Sequence, residues 1–345
     1  MTSKDKILIG LVDADLLNGG TRHPNLVLLK LAGFLTDNAI PFRLIIDKDE
    51  NIMEYTTIYM SKVFSFTPDP PFYEKVKKTP NENKFKIGGT GDYAIKKDIK
   101  DFKSSRTRDM NQLENDIFLN NYPNKRGGKK KWGIDMCRQM PYYHLYDEYI
   151  QSKIKAGRKK SYFNDYLYYS IGFLTRGCIR HCPFCVNKLE NKVYRYSELE
   201  WFLDDERNEK GDLIRPYIYL WDDNFLAAPK EIWQPMLQSL IDSKRPFQFR
   251  QGLDERILAE SEDGEEIAQM LSKCKYHGDF IFAFDNWRDR DKIIKALKIW
   301  KRHNSKRGTK FYLFCGYTLK SGEDEKLYND IKILFERIKI LMQYG

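Results

Sequence analysis

Residues 177–185 read GCIRHCPFC and set Cys178, Cys182 and Cys185 in a C-x3-C-x2-C spacing. The 345-residue chain has six cysteines, so half of them fall in one loop-sized segment. Disulfides, metal ligation and unrelated thiols are the chemistries to weigh. The start, MTSKDKILIGLVDAD, carries no basic, apolar and small-residue signal pattern, which gives the expectation of a cytoplasmic protein. No stretch approaches eighteen apolar residues, so no membrane span is expected. In a reducing compartment, closely spaced cysteines are metal ligands or catalytic groups more often than disulfides. Structural zinc takes four ligands. The nearby fourth candidate is His181, and no second cysteine pair follows. Three thiolates suit a cubane [4Fe–4S] cluster with one iron lacking a protein ligand, the open position a catalytic metal needs. The other cysteines make no second cluster. Cys274 reads as a small buried hydrophobe, Cys315 ends a strand, and Cys137 stands alone.

The segments around this cluster are regular. YSIGFLT (169–175) reads as a strand leading into the cysteines, and YSELEWFL (196–203) as a helix. Then PYIYLW, PFQFRQGL, FIFAFDNW and KFYLFCGY read as strands, alternating with the helical stripes KEIWQPMLQSLIDS, EEIAQMLSKC, DKIIKALKIWKRH and LYNDIKILFERIKILM. Five strand–helix units in succession imply a TIM-like parallel barrel or partial barrel over 166–345. Its site would lie at the carboxyl ends of the strands, where the cysteine segment falls.

This spacing in this context, with FLTRGC before it and Phe184 as the aromatic preceding the last cysteine, resembles the radical S-adenosylmethionine superfamily. The resemblance implies that Cys178, Cys182 and Cys185 ligate three irons. The fourth iron would chelate the amino and carboxylate groups of S-adenosylmethionine. One electron, from a flavodoxin- or ferredoxin-type donor, would cleave the sulfonium to methionine and a 5′-deoxyadenosyl radical that abstracts a substrate hydrogen. It further implies cofactor contacts at Asp222, Asp223 and Asn224 of WDDNF, near the methionine amino group. Arg250, Gln251 and Asp254 of RQGLDER would lie near the ribose or carboxylate, and Asp285 or Asn286 of FAFDNW would face the site. Read as residues alone, WDDNF also fits a capped strand end, and Arg250 is equally an ion-pair partner.

Residues 1–130 read as an open, Rossmann-like α/β domain. KILIGLV, FRLIID, IYMSKVFSF and FKIGG are strands, LVLLKLAGFL is a helix, and the segment after FKIGG is a basic insertion. Gly88 and Gly89 fit a tight turn at the carboxyl edge, where such sheets bind ligands. Residues 131–165 read as a linker. An α/β domain ahead of such a barrel resembles the cobalamin-binding subgroup. The subgroup's D-x-H-x-x-G signature is absent, since Pro24 and Asn25 follow His23, which counts against bound cobalamin without removing it.

The net charge of +10, from 59 Lys+Arg against 49 Asp+Glu, suits a polyanion partner or simply a solvated lysine-rich surface. KRGGKKK (125–131) is the densest basic run, and 149–169 mixes aromatics with lysines, as nucleic-acid contacts do. Nucleic acid, peptide and small metabolite all stand as substrates. The rival reading is a non-catalytic metal-binding protein with a structural zinc or an inactive cluster. The five strand–helix units fall one short of the superfamily's six, so either the sequence is truncated or the last strand is supplied otherwise.

Overall fold

The computed structural model of the chain describes residues 8–89, 134–182, 184, 185, 187, 191–316 and 324–344. The run KRGGKKK lies outside them. Two compact units divide at Tyr169: Met1–Tyr169 and Ser170–Gly345. Both are mixed α/β with parallel sheets.

In the first unit, strands β1 (Ile9–Asp13), β2 (Phe42–Leu44), β3 (Thr57–Ser61) and β4 (Phe85–Gly88) form a parallel sheet in the order β2-β1-β3-β4. The central strands β1 and β3 are buried along their whole length, which is why their apolar runs show no alternation. Asp13 ends β1 and caps helix α1 (Ala14–Gly19), its Oδ1 accepting from the Leu16 N–H at 3.1 Å. Asn25 does the same for α2 (Leu26–Asp37), accepting from the Leu28 N–H at 3.2 Å. A short helix, α3 (Pro71–Val76), precedes β4.

The segment read as a linker is part of this unit's core. Ile134, Met136, Tyr143, Tyr146, Phe163 and Tyr166 are buried against Ile9, Leu11 and Leu28. The close approach needs glycine at position 33, where a Cβ would lie 2.0 Å from the Met140 carbonyl oxygen. Lys30, buried in α2, donates its ammonium to the Met136 carbonyl at 2.6 Å. Two helices complete the segment, α4 (Asp147–Lys155) and α5 (Asn164–Leu167). Its aromatics were candidate stacking platforms for bases. Tyr149, Phe163 and Tyr166 are instead buried in the core.

In the second unit, β5 (Tyr169–Gly172), β8 (Tyr217–Leu220) and β9 (Phe247–Phe249) form one sheet, with β8 and β9 parallel. A second parallel sheet joins β10 (Phe280–Ala283) and β11 (Thr309–Tyr312). A parallel bridge between Phe247 and Tyr276, and the Leu253 N–H donating to the Ile281 carbonyl at 2.8 Å, link the β9 and β10 segments. Helices α6 (Lys230–Asp242), α7 (Arg256–Glu260), α8 (Gly264–Lys273), α9 (Arg290–Asn304) and α10 (Asp324–Tyr344) follow the strands. One core, including Phe202, Trp233, Leu237, Phe249, Ile267 and Phe280, lies between strands and helices.

Two local differences from the sequence expectation have physical causes. YSIGFLT is broken: β5 stops at Gly172, and Thr175–Gly177 forms β6, antiparallel to β7 (Val193–Arg195). The break arises because the Leu174 and Thr175 N–H groups donate to the Asp222 carboxylate, at 3.1 and 2.6 Å, rather than to a neighbouring strand. YSELEWFL makes only a 3-10 turn at Leu199–Trp201. The buried Phe202 anchors the chain there, and the Asp204 N–H reaches the Ser170 hydroxyl at 3.0 Å.

Candidate metal centre

Cys178, Cys182 and Cys185 lie on the connection between β6 and β7, beside the carboxyl end of β8. Gly177 sets the entry to this loop at φ +92°, and a Cβ there would lie 2.2 Å from the Lys192 carbonyl oxygen. Asp223 ties the loop together: Oδ2 accepts the Gly177 N–H at 2.9 Å, and Oδ1 accepts the Asn187 side-chain amide at 2.7 Å. Arg176 Nε lies 3.7 Å from the same carboxylate.

None of the three cysteines is in a disulfide, and each is partly exposed. The Arg180 N–H points at Cys178 Sγ (3.3 Å), and the Asn187 N–H at Cys185 Sγ (3.4 Å). Each is the backbone amide two residues after its cysteine, and the Cys185 N–H closes on the Cys182 carbonyl at 3.0 Å. Such N–H to sulfur bonds favour a thiolate and tune a sulfur-ligated metal. Burial raises the Cys182 thiol pKa. The Arg256 guanidinium opposes the shift, while the Cys185 and Cys178 thiols and Asp285 add to it. Among the described residues, no three His, Cys, Asp or Glu side chains come together as a group that could hold a metal ion. The cysteines share a loop and its hydrogen-bonding pattern, and His181 lies on an exposed part of it.

Behind the loop, Asp254 is the hub of a charged network. Its Oδ2 accepts from Arg180 Nε at 2.7 Å and Asn224 Nδ2 at 3.1 Å, and its Oδ1 from Arg256 Nε at 2.6 Å. Arg180 also reaches Glu260 at 2.5 Å, and Arg256 reaches Asp289 at 2.9 Å. Burial pushes the Asp254 carboxyl up, but the Arg256 and Arg180 guanidiniums outweigh it and hold the group below the usual carboxylate range. Asn224 Nδ2 also lies 3.5 Å from Cys178 Sγ, so one amide joins the first thiol to the hub.

Two buried polar atoms at this edge, Asn224 Oδ1 and Glu255 Oε1, have no hydrogen-bond partner among the described residues. Burial pushes the Glu255 carboxyl up to about 8, and its other oxygen accepts the Ala283 N–H at 3.3 Å.

The expected cofactor residues divide by their surroundings. Asp222 accepts three hydrogen bonds from Leu174 and Thr175, so its oxygens hold the β5–β6 break. Asp223 and Asn224 border the cysteine loop. Arg250 stacks over the Tyr219 ring at 4.6 Å and donates to Gln248 at 3.1 Å, whereas Gln251 is exposed. Asp285 accepts the Phe314 N–H at 2.8 Å, and the Phe314 ring packs on Phe184 with centroids 4.7 Å apart. Asn286 is exposed and caps a short turn, accepting the Arg288 N–H at 3.0 Å.

Arg180, Asn187, Glu255, Arg256 and Asp289 join this site without having been singled out in the sequence. The consecutive charges of DER (254–256), placed just after a strand and Gly252, were the available signal. Neither known protein-family models nor curated proteins match the chain.

Proposed function

We propose that this chain is a radical S-adenosylmethionine enzyme that holds a 4Fe–4S cluster on Cys178, Cys182 and Cys185. The observation that carries the reading is the cysteine loop itself. It bears three thiols, two of them facing backbone N–H groups, beside the ends of parallel strands. The donor set fits the cluster: three soft sulfurs with N–H donors suit iron–sulfur ligation and fall one short of structural zinc. When bound, such a cluster supplies the electron that cleaves S-adenosylmethionine reductively.

The chain's own residues hold the loop and receive the cofactor. Asp223 fixes both ends of the loop, and Asp254, through Arg180 and Asn224, fixes its first cysteine. Asn224 Oδ1 is a buried acceptor suited to a donor on a bound molecule, and the Glu255 carboxyl, neutral below about pH 8, is suited to donate through Oε1. Phe184 on the loop packs on Phe314, which follows β11 and whose N–H Asp285 accepts. In this reading, β5, β8, β9, β10 and β11 are successive strands of a partial barrel, supported by the Phe247–Tyr276 bridge. The first unit, with its order β2-β1-β3-β4, is a Rossmann-like, B12-binding-like domain, and no step is assigned to cobalamin. Electrons come from a flavodoxin- or ferredoxin-type donor.

The test is anaerobic loading with iron and sulfide, followed by reduction and addition of S-adenosylmethionine. The expected product is 5′-deoxyadenosine. A fully loaded protein that releases none, or a protein that takes one zinc and no iron, contradicts the reading.

A further inference from the structure

Helix α10 reaches the ends of β10 and β11 with two polar side chains. Arg337 is 1% exposed. Its Nη1 donates to the carbonyls of Phe284 (2.7 Å) and Asp285 (2.9 Å), just after β10, and its Nη2 to that of Phe314 (3.0 Å), just after β11. About two turns earlier on the helix, Asp330 accepts the Gly316 N–H at 2.6 Å. The helix has an apolar seat of its own, since Ile340, Leu341 and Tyr344 pack with Phe284, Ile293 and Leu297. Burying a guanidinium is costly unless its charge is used. Among the described residues no carboxylate pairs with Arg337, and its Nε has no partner. What the charge holds is three carbonyls from two strand ends, a span that a planar fork covers and a single ammonium does not.

Those strand ends support the cysteine loop. Asp285 Oδ1 accepts the Phe314 N–H at 2.8 Å, a further bond across the same two ends. The Phe314 ring lies on Phe184, the residue before Cys185, with centroids 4.7 Å apart and planes at 47°. Both rings are more than two-fifths exposed, so no surrounding core locks the contact, and it depends on where the Phe314 backbone is held. We propose that Arg337 is a positioning residue for the cysteine loop: its guanidinium fixes Phe314, and Phe314 fixes Phe184 beside Cys185. The value of this brace for S-adenosylmethionine binding rests on the cluster reading, whereas its effect on the loop does not.

Hydrogen exchange of the metal-free chain, resolved to single amides, tests the brace. Arg337→Lys keeps the charge and loses the fork. It speeds exchange of the Phe314 N–H and, beyond it, of the Cys185 and Asn187 N–H groups by roughly threefold to tenfold, the worth of one aromatic contact. Phe314→Ala gives the same increase at Cys185 and Asn187, and the double variant adds nothing further. The amides of α6 and α8 are unchanged throughout. In the loaded protein both variants keep their iron, but need roughly threefold to tenfold more S-adenosylmethionine to change the paramagnetic resonance signal of the reduced cluster. Cysteine-loop amides indifferent to Arg337→Lys, or effects of the two substitutions that multiply, overturn the proposal. If Arg337→Lys loosens α6 and α8 as well, Phe314→Ala decides alone, and unchanged exchange at Cys185 and Asn187 overturns it. A wild-type chain that takes up no cluster contradicts the cluster reading and leaves the exchange result to stand.

Discussion

At the carboxyl edge of the first unit's sheet, buried polar groups satisfy one another. Asp13 accepts from Leu16 and from the Tyr146 hydroxyl, Asn25 donates to Ser61 at 2.7 Å, and Asp15 accepts from Val63, Phe64 and Thr67. At the corresponding edge of the second unit, Asn224 Oδ1 and Glu255 Oε1 are buried polar atoms without partners among the described residues, beside the three cysteines. A buried acceptor without a donor is costly, on the order of 1–3 kcal/mol each. The first edge is closed by its own side chains, whereas the second leaves two buried polar atoms without a partner among the described residues.

The largest expected effect falls on the cysteine edge. Cys178→Ala, Cys182→Ala or Cys185→Ala each abolishes stable iron incorporation, read as iron and sulfide per chain after anaerobic loading, while Cys274→Ala leaves it intact. Retention of a full cluster by any of the three variants would break the assignment.

Next comes the hub behind the loop. Asp254→Ala leaves Arg180 and Arg256 facing one another, with Glu260 and Asp289 still holding one guanidinium each. The expected loss is about 3 kcal/mol, the low end for breaking a buried ion pair. Denaturant unfolding measures it. A loss below about 1 kcal/mol, the range of exposed pairs, would show that the network is solvated.

A paired substitution then compares the two edges directly. Burial pushes both Asp13 and Asp222 up to about 7. A carboxyl raised in the folded state keeps its proton where the unfolded chain has lost it. Each therefore stabilises the fold below about pH 4, and that stability declines as pH rises towards about 7. Asp13→Asn keeps the Leu16 bond and can donate to the Tyr146 hydroxyl, which already accepts the Asn25 N–H at 3.1 Å and so gives up only its own donation, and it flattens this slope. Asp222→Asn removes one of two acceptors facing backbone N–H groups, at a cost of about 1–3 kcal/mol. Unfolding series from pH 4 to 8 separate the two. Equal losses for both variants would erase the contrast.

Much of this architecture was legible because its signals are local. β1, β3 and β8 are apolar runs, α2 and α9 carry helical stripes, and the cysteine spacing is contiguous. What escaped depends on partners distant in sequence. Residues 134–165 look like a linker because their lysines and tyrosines resemble a solvated surface. Their burial depends on contacts with Ile9, Leu11 and Leu28, and on Tyr146 reaching Asp13 at 2.9 Å across the unit. Asp222 reads as a cofactor contact or a cap, and its use as the clasp that breaks YSIGFLT appears only once β5 and β8 lie together. Arg180 meets Asp254 from 74 positions away, a pairing no spacing rule finds.

The central claim is that three thiolates hold a cluster with one iron left for the cofactor. Its most direct test is electron paramagnetic resonance of the anaerobically loaded, reduced protein, with and without S-adenosylmethionine. The account predicts the signal of a reduced 4Fe–4S cluster, with a shape that changes when S-adenosylmethionine is added. A loaded protein whose signal is indifferent to S-adenosylmethionine, or one that holds no cluster at all, would contradict it.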